Sequence, residues 1–277
     1  MLDVLQFDFM QRALISGLLI GLICPAIGVF LIMRKQSLIG DGLGHIAFAG
    51  VATGWLLGIY PVASATVFTV LAALGIEELR ARRPGFADMM LAIFFYTGIA
   101  LAVLFSSMAK SSNVNLISYL FGSIVTVSVQ DVKMITILAT AVLGILIFSF
   151  KELLFVTFDE EVAKVSGVPV KRINMLLAVL TALTVSVSMR VVGILLISAL
   201  MVIPVAASLQ ISSSFRKTLI NAIIISEVSV IVGLFSSFYL NLASGGTIVI
   251  TSVIIFIASF TFKQVVIDKS SGSSLAS

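Results

Sequence analysis

Asp41 and His45 stand four residues apart in the stretch SLIGDGLGHIAFAGVATGWLLG, and His45 is the only histidine in the 277-residue chain. On a helix this spacing puts both side chains on one face. A carboxylate oxygen and an imidazole nitrogen suit a divalent transition metal, yet one such pair supplies only two of the four donors that tetrahedral zinc takes. Two copies of the chain meeting on a two-fold axis would bring two pairs together, and the two carboxylates would cancel the charge of a dication. Two other roles are open to the same residues: a proton relay, or a histidine that simply hydrogen-bonds a neighbouring helix. Phe48, Ala49 and Ala52 continue the face beneath the pair. Gly50, Gly54 and Gly58 fall on the opposite side, in a GxxxGxxxG stripe that lets another helix approach closely. Glycines at 40, 42 and 44 either unwind the start of this helix or bring backbone close to a passing ion.

The segment carrying the pair lies in a chain that is 60% hydrophobic and 11% charged, with a mean hydropathy of +1.21. Such a composition excludes a soluble enzyme and marks an integral membrane protein. Cys24 is the only cysteine, so neither an internal disulfide nor a multi-cysteine metal cluster can form. Charge, Pro and Gly interruptions mark nine apolar spans within a range of eight to ten, at about 10–33, 37–58, 61–79, 87–108, 131–150, 173–189, 191–209, 218–240 and 246–263. The first run lacks the flanks of a cleaved secretion signal and is expected to be retained. With the N-terminus outside, the inner segments hold Arg34, Lys35, Arg80, Arg82, Arg83, Lys151, Lys164, Lys171, Arg172, Arg216, Lys217, Lys263 and Lys269. Only Arg12, Lys110, Lys133 and Arg190 remain outside. That asymmetry places residues 151–172 and the C-terminus in the cytoplasm. ISYLFGSIVTVS at 117–128 is too short to cross unaided and is expected to be re-entrant or tilted; if it crosses, the N-terminal half inverts.

The basic cluster in EELRARRPGFAD (77–88) reads as an anchor to anionic headgroups. The segment KELLFVTFDEEVAKVSGVPVKRIN (151–174) predicts a short helix from Asp159 to about Gly167, stopped by Pro169 and started by acidic residues suited to a helix N-terminus. It is either a plain connector or a handle for a soluble partner. Glu227 reads as structural, with its flanking serines as hydrogen-bond partners, and Asp88 as a residue stabilised at a helix start. No G-x-x-x-x-G-K-[ST] phosphate loop occurs, so nucleotide hydrolysis by that route is not expected of this chain, nor is nucleic-acid binding.

Several motifs in order resemble the ABC-3 family of metal-ion permeases over nearly the whole chain. GDGLGHIAFAG resembles the family's GD-x-x-SH-x-x-x-x-G, FDEEVAKVSGVPVKRIN its D-x-x-x-A-x-x-x-G coupling segment, VVGILLISALMVIPVAASL its VG-x-L-L-x-x-A-L-x-x-x-P-A-A stretch, and SGGTIVI its Gly-rich lead into the last span. The opening MLDVLQFDFMQRALISG is similar to zinc-importing members. Gly42 and Gly44 stand where Ala and Ser are usual, and Ala49 where many members have Pro.

The resemblance implies an all-α polytopic bundle like a type II ABC importer, with residues 1–263 as one permease domain and 264–277 as a flexible cytoplasmic tail. It further implies a homodimer in the bacterial plasma membrane, served by an extracellular metal-binding lipoprotein and cytoplasmic ATP-binding subunits. Asp41 and His45 match the metal-coordinating pair, while Asp159, Glu160, Ala163 and Gly167 match the coupling helix that docks on the ATPase. No permanently bound cofactor is implied. The implied cargo is a divalent transition metal, zinc first and manganese as the alternative, with a chelated-iron or siderophore ligand as the rival reading.

Overall fold

Backbone N–H and C=O groups cannot go unpaired in lipid, so apolar segments of this length must cross as helices. The computed structural model describes residues 6–108 and 116–274, and its regular elements are all helical. They are α1 (Asp8–Met33), α2 (Ile39–Leu57), α3 (Pro61–Arg82), α4 (Ala87–Met108), α5 (Leu116–Phe121), α6 (Val129–Phe148), α7 (Phe150–Phe158), α8 (Glu160–Val165), α9 (Val170–Ser188), α10 (Ile197–Ile211), α11 (Phe215–Leu240) and α12 (Ser244–Ser274). A 3₁₀ turn, Ile194–Leu196, leads into α10.

All nine segments expected to span are helical, and eight of them are long and apolar enough to cross a membrane. The ninth, α2, has 19 residues, but Asp41, His45 and its glycines dilute its apolarity. Local chemistry explains the ends. Pro61 opens α3, where its missing N–H costs nothing. Ser128 and Asp131 close a reciprocal capping box on α6. Gly58 ends α2 in the left-handed region, with φ +66°.

Two groups of helices share the core. In one, α2 lies between α3 and α4, with α3 also against α9; in the other, α1, α10, α11 and α12 pack together, and α1 reaches α6 and α9. The apolar core includes Ile20, Ile27, Phe30, Leu43, Leu180 and Ile197, all fully buried.

The 117–128 stretch, expected to be too short to cross unaided, forms only the short α5 and then irregular backbone that rests on the loop before α10, where Gly193, at φ +89°, lies against Phe121 and Gly122. The structure departs from expectation in two places. The segment after α6 is not polar connector throughout, because Leu153 and Val156 bury one face of α7 and Phe150 packs edge-on to Phe30 at 5.9 Å. Finally, α12 stays helical to Ser274, past the expected end at 263. Lys110 and residues 275–277 lie outside the described residues.

Candidate functional site

The helix α2 is unbroken from Ile39, so the one-turn spacing of Asp41 and His45 holds. From Gly40 to Ala52 only Asp41, His45 and Phe48 are partly exposed; every other residue is buried. The pair therefore lies on the single open stripe of this part of α2, whose other residues are enclosed by their own protomer. The glycines explain the enclosure. A methyl group at Gly42 would sit 2.8 Å from Leu91 of α4, at Gly40 3.2 Å from the Ser198 Cβ, and at Gly44 3.3 Å from the Ile194 carbonyl. They admit close neighbours rather than unwinding the helix. On the far side Gly50 packs on Ala65 and Gly54 on Ser64 and Pro61 of α3, as the stripe predicts. Gly58 does not join them, having nothing within 4 Å, because it serves as the helix terminator.

Each candidate ligand is held by another element. The Ser198 hydroxyl, at the second position of α10, donates to Asp41 Oδ1. The His45 ring stands edge-on to Phe95 of α4 at 4.4 Å. Behind it, Gly98 lets α4 touch the α2 backbone: a methyl there would lie 2.9 Å from the His45 carbonyl carbon and 2.8 Å from the Ile46 nitrogen. Among the described residues, no group of three or more His, Cys, Asp or Glu gathers to hold a metal. Ser198, Phe95 and Gly98 carried no signal in the spacing around Asp41, since their proximity is created by tertiary packing.

A polar network ties together the end of the bundle that carries Arg190. Asp131 is 1% exposed and accepts from Arg190 at 2.8 Å, from Tyr60 at 2.5 Å and from the Ser128 backbone N–H at 2.9 Å. Arg190 also donates to the Thr126 carbonyl at 2.7 Å and lies over the Tyr119 ring, which meets Trp55 edge-on. Burial opposes charge on Arg190, but Tyr119 and the Asp131 carboxylate hold its pKa above the ordinary guanidinium value. Sequence placed Arg190 among the outer charges without revealing this partner.

At the other end a cleft of about 1150 Å³ lies between α3, α4, α8 and α9, lined by Arg34, Glu77, Arg80, Asp88, Glu160 and Lys164, with Ile39, two residues from Asp41, on its edge. Arg34 caps α1 and donates to Thr157 of α7 at 3.2 Å and to Asn174 of α9 at 2.8 Å, while Asn174 donates to Glu160 at 3.3 Å. Burial holds the Arg34 pKa below the ordinary guanidinium value, and nearby Glu160 offsets only part of that shift.

The short helix expected from Asp159 is α8. Asp159 caps it by accepting from the Val162 N–H at 2.9 Å, Glu160 is its first residue, Ala163 is fully buried, and Gly167, at φ +84°, turns the chain out of it. Val162 and Val165 project outward, Val165 being 89% exposed. Glu227 departs from expectation. Its Oε2 and the Ser226 hydroxyl have no hydrogen-bond partner among the described residues, and Ser229 donates to Ile225 instead. Side chains one or two positions apart on a helix point away from one another. Its neighbour across the interface is Gly21 of α1.

Over residues 6–263 the chain matches the ABC 3 transport family. It is 33% identical to the high-affinity zinc uptake system membrane protein ZnuB of Haemophilus influenzae, covering 94% of this chain and 99% of that protein. It is also 33% identical to the manganese transport system membrane protein MntC of Listeria monocytogenes, covering 94% of this chain and 92% of that one. Its structure is similar to that of PsaBC from Streptococcus pneumoniae, solved in complex with Fab, with a TM-score of 0.84, 33% identity and 94% coverage of each chain.

Proposed function

The chain belongs to the ABC 3 transport family, and from that premise we propose that it is the permease of an importer for a divalent transition metal, with zinc preferred over manganese. It is a multi-pass protein of the bacterial plasma membrane. The observation that carries the reading is the placement of Asp41 and His45 on the one open stripe of α2. A charged residue at membrane depth costs roughly 2.5–3.5 kcal/mol on insertion scales, and a cation between two such carboxylates offsets that cost. In a homodimer two copies of the stripe face one another, giving two carboxylates and two imidazoles. That is a neutral four-donor set around a dication, the number and kind tetrahedral zinc takes.

Metal delivered by an extracellular binding lipoprotein rests between the pairs and leaves toward the cleft beside Ile39 when the dimer is reshaped. ATP-binding subunits supply the work by gripping α8 through exposed Val162 and Val165. The hydrogen-bonded chain from Glu160 through Asn174 to Arg34 carries that displacement to the end of α1, where Arg34 stands five residues before the first residue of α2.

Uptake of radiolabelled zinc by membrane vesicles holding the chain with its ATPase partner tests this. Asp41→Ala and His45→Ala are each expected to abolish uptake while the protein remains in the membrane. Full uptake by His45→Ala would point instead to a chelate carrier, which needs no ligand in its path.

A further inference from the structure

The hydroxyl of Ser198 reaches Asp41 from a different helix, 157 residues away in sequence. Its position is built rather than incidental. Ser198 is 7% exposed and lies in the first turn of α10, and α10 comes this near because Gly40 lacks a side chain opposite the Ser198 Cβ and Gly44 lacks one opposite the Ile194 carbonyl. A serine hydroxyl has one proton to give, and here it goes to Oδ1.

We propose that Ser198 is a specificity-determining positioning residue that, by donating to Asp41 Oδ1, fixes the orientation of the carboxylate and favours ligation of the cation through Oδ2 alone. This rests on the reading of Asp41 as a metal ligand. A carboxylate held this way binds through one oxygen, which suits a four-coordinate site fed by two protomers. Freed of the hydroxyl, the carboxylate can turn and offer both oxygens, which suits a larger cation that takes more oxygen ligands. Hydrogen-bond partners of metal ligands commonly govern affinity by ten- to a hundredfold. Ser198 thus favours zinc over manganese without touching either.

Vesicles containing the chain and its ATPase partner can measure half-saturating zinc and manganese, and the zinc concentration that halves manganese uptake, each normalised to protein in the membrane. For Ser198→Ala the expected result is a rise of about tenfold or more in half-saturating zinc, with manganese unchanged or improved, so that the preference narrows by about the same factor. Ser198→Thr and Ser198→Val have nearly the same shape and differ in the hydroxyl, so they decide the matter even where alanine impairs folding: threonine is expected to keep the wild-type ratio and valine to lose it. Equal ratios in threonine and valine, or a fall in both metals together for alanine, overturn the proposal. Wild-type uptake that survives Asp41→Ala overturns the metal-ligand reading itself, whatever the Ser198 variants do.

Discussion

Breaking the Asp131–Arg190 pair from either side should cost this protein several kcal/mol, and the two single losses should not add when both partners are removed. Asp131 is 1% exposed, the Arg190 side chain is 12% exposed, and their N–O distance is 2.8 Å. Arg190→Met leaves a buried carboxylate with only Tyr60 and Ser128 to satisfy it. Asp131→Asn leaves a buried guanidinium whose Nε already has no partner. Orphaning one member of a buried pair costs about 3–5 kcal/mol. At roughly 2–4 °C per kcal/mol for a chain of this order, each single variant should melt about 6–20 °C below wild type. The double variant leaves no uncompensated charge, so its loss should fall well short of the two single losses added together. Thermal unfolding of the purified protein in detergent reads this directly through Trp55, the only tryptophan, whose ring meets Tyr119 at 5.2 Å beside the pair. Single variants that melt with wild type, or a double variant whose loss equals the sum, would refute the claim that this pair locks the α6 start to the loop after α9.

Two further outcomes follow from the geometry. Asp159→Ala removes the cap of α8 and should weaken that helix by about 0.5–2 kcal/mol, lowering the amount of ATPase retained on the membranes; Asp159→Ser keeps a capping oxygen without the charge and should restore it, so equal retention by both variants would count against capping as the cause. Gly98→Val places carbon where only 2.8 Å separates a methyl from the Ile46 nitrogen, an overpacking of about 1–3 kcal/mol that must shift α4 or the His45 backbone; zinc uptake should fall with the protein still membrane-embedded, and unchanged uptake would show that α4 does not hold the histidine.

The spans were legible because lipid imposes a single rule on twenty-residue apolar runs, and the nine expected segments are helices. Asp41 and His45 were legible as a pair because i,i+4 spacing is a local fact. The short helix at Asp159 was legible for the same reason: an acidic cap before it and a glycine after it are both written locally. What the sequence hid is relational. Ser198, Phe95, Arg190 with Asp131, and Arg34 with Asn174 lie on elements far apart in the chain, and no periodicity encodes which ends meet. Phe150, Leu153 and Val156 do follow helical spacing, but Phe30, against which Phe150 packs, is 120 residues earlier, so α7 lay within a segment read as connector.

The glycines of α2 turn this difference into one account of the site. Gly50 and Gly54 admit α3, Gly42 admits Leu91 of α4, and Gly40 and Gly44 admit Ser198 and the turn before it. A helix approached so closely from three directions has one face left over, and that face carries Asp41, His45 and Phe48. The exposure of Asp41 and His45 is therefore a consequence of where side chains are missing. It also follows that α4 and α10 touch the backbone or the carboxylate of the pair directly, with no intervening layer. Rearrangement of either helix must therefore move Asp41 or His45 with it.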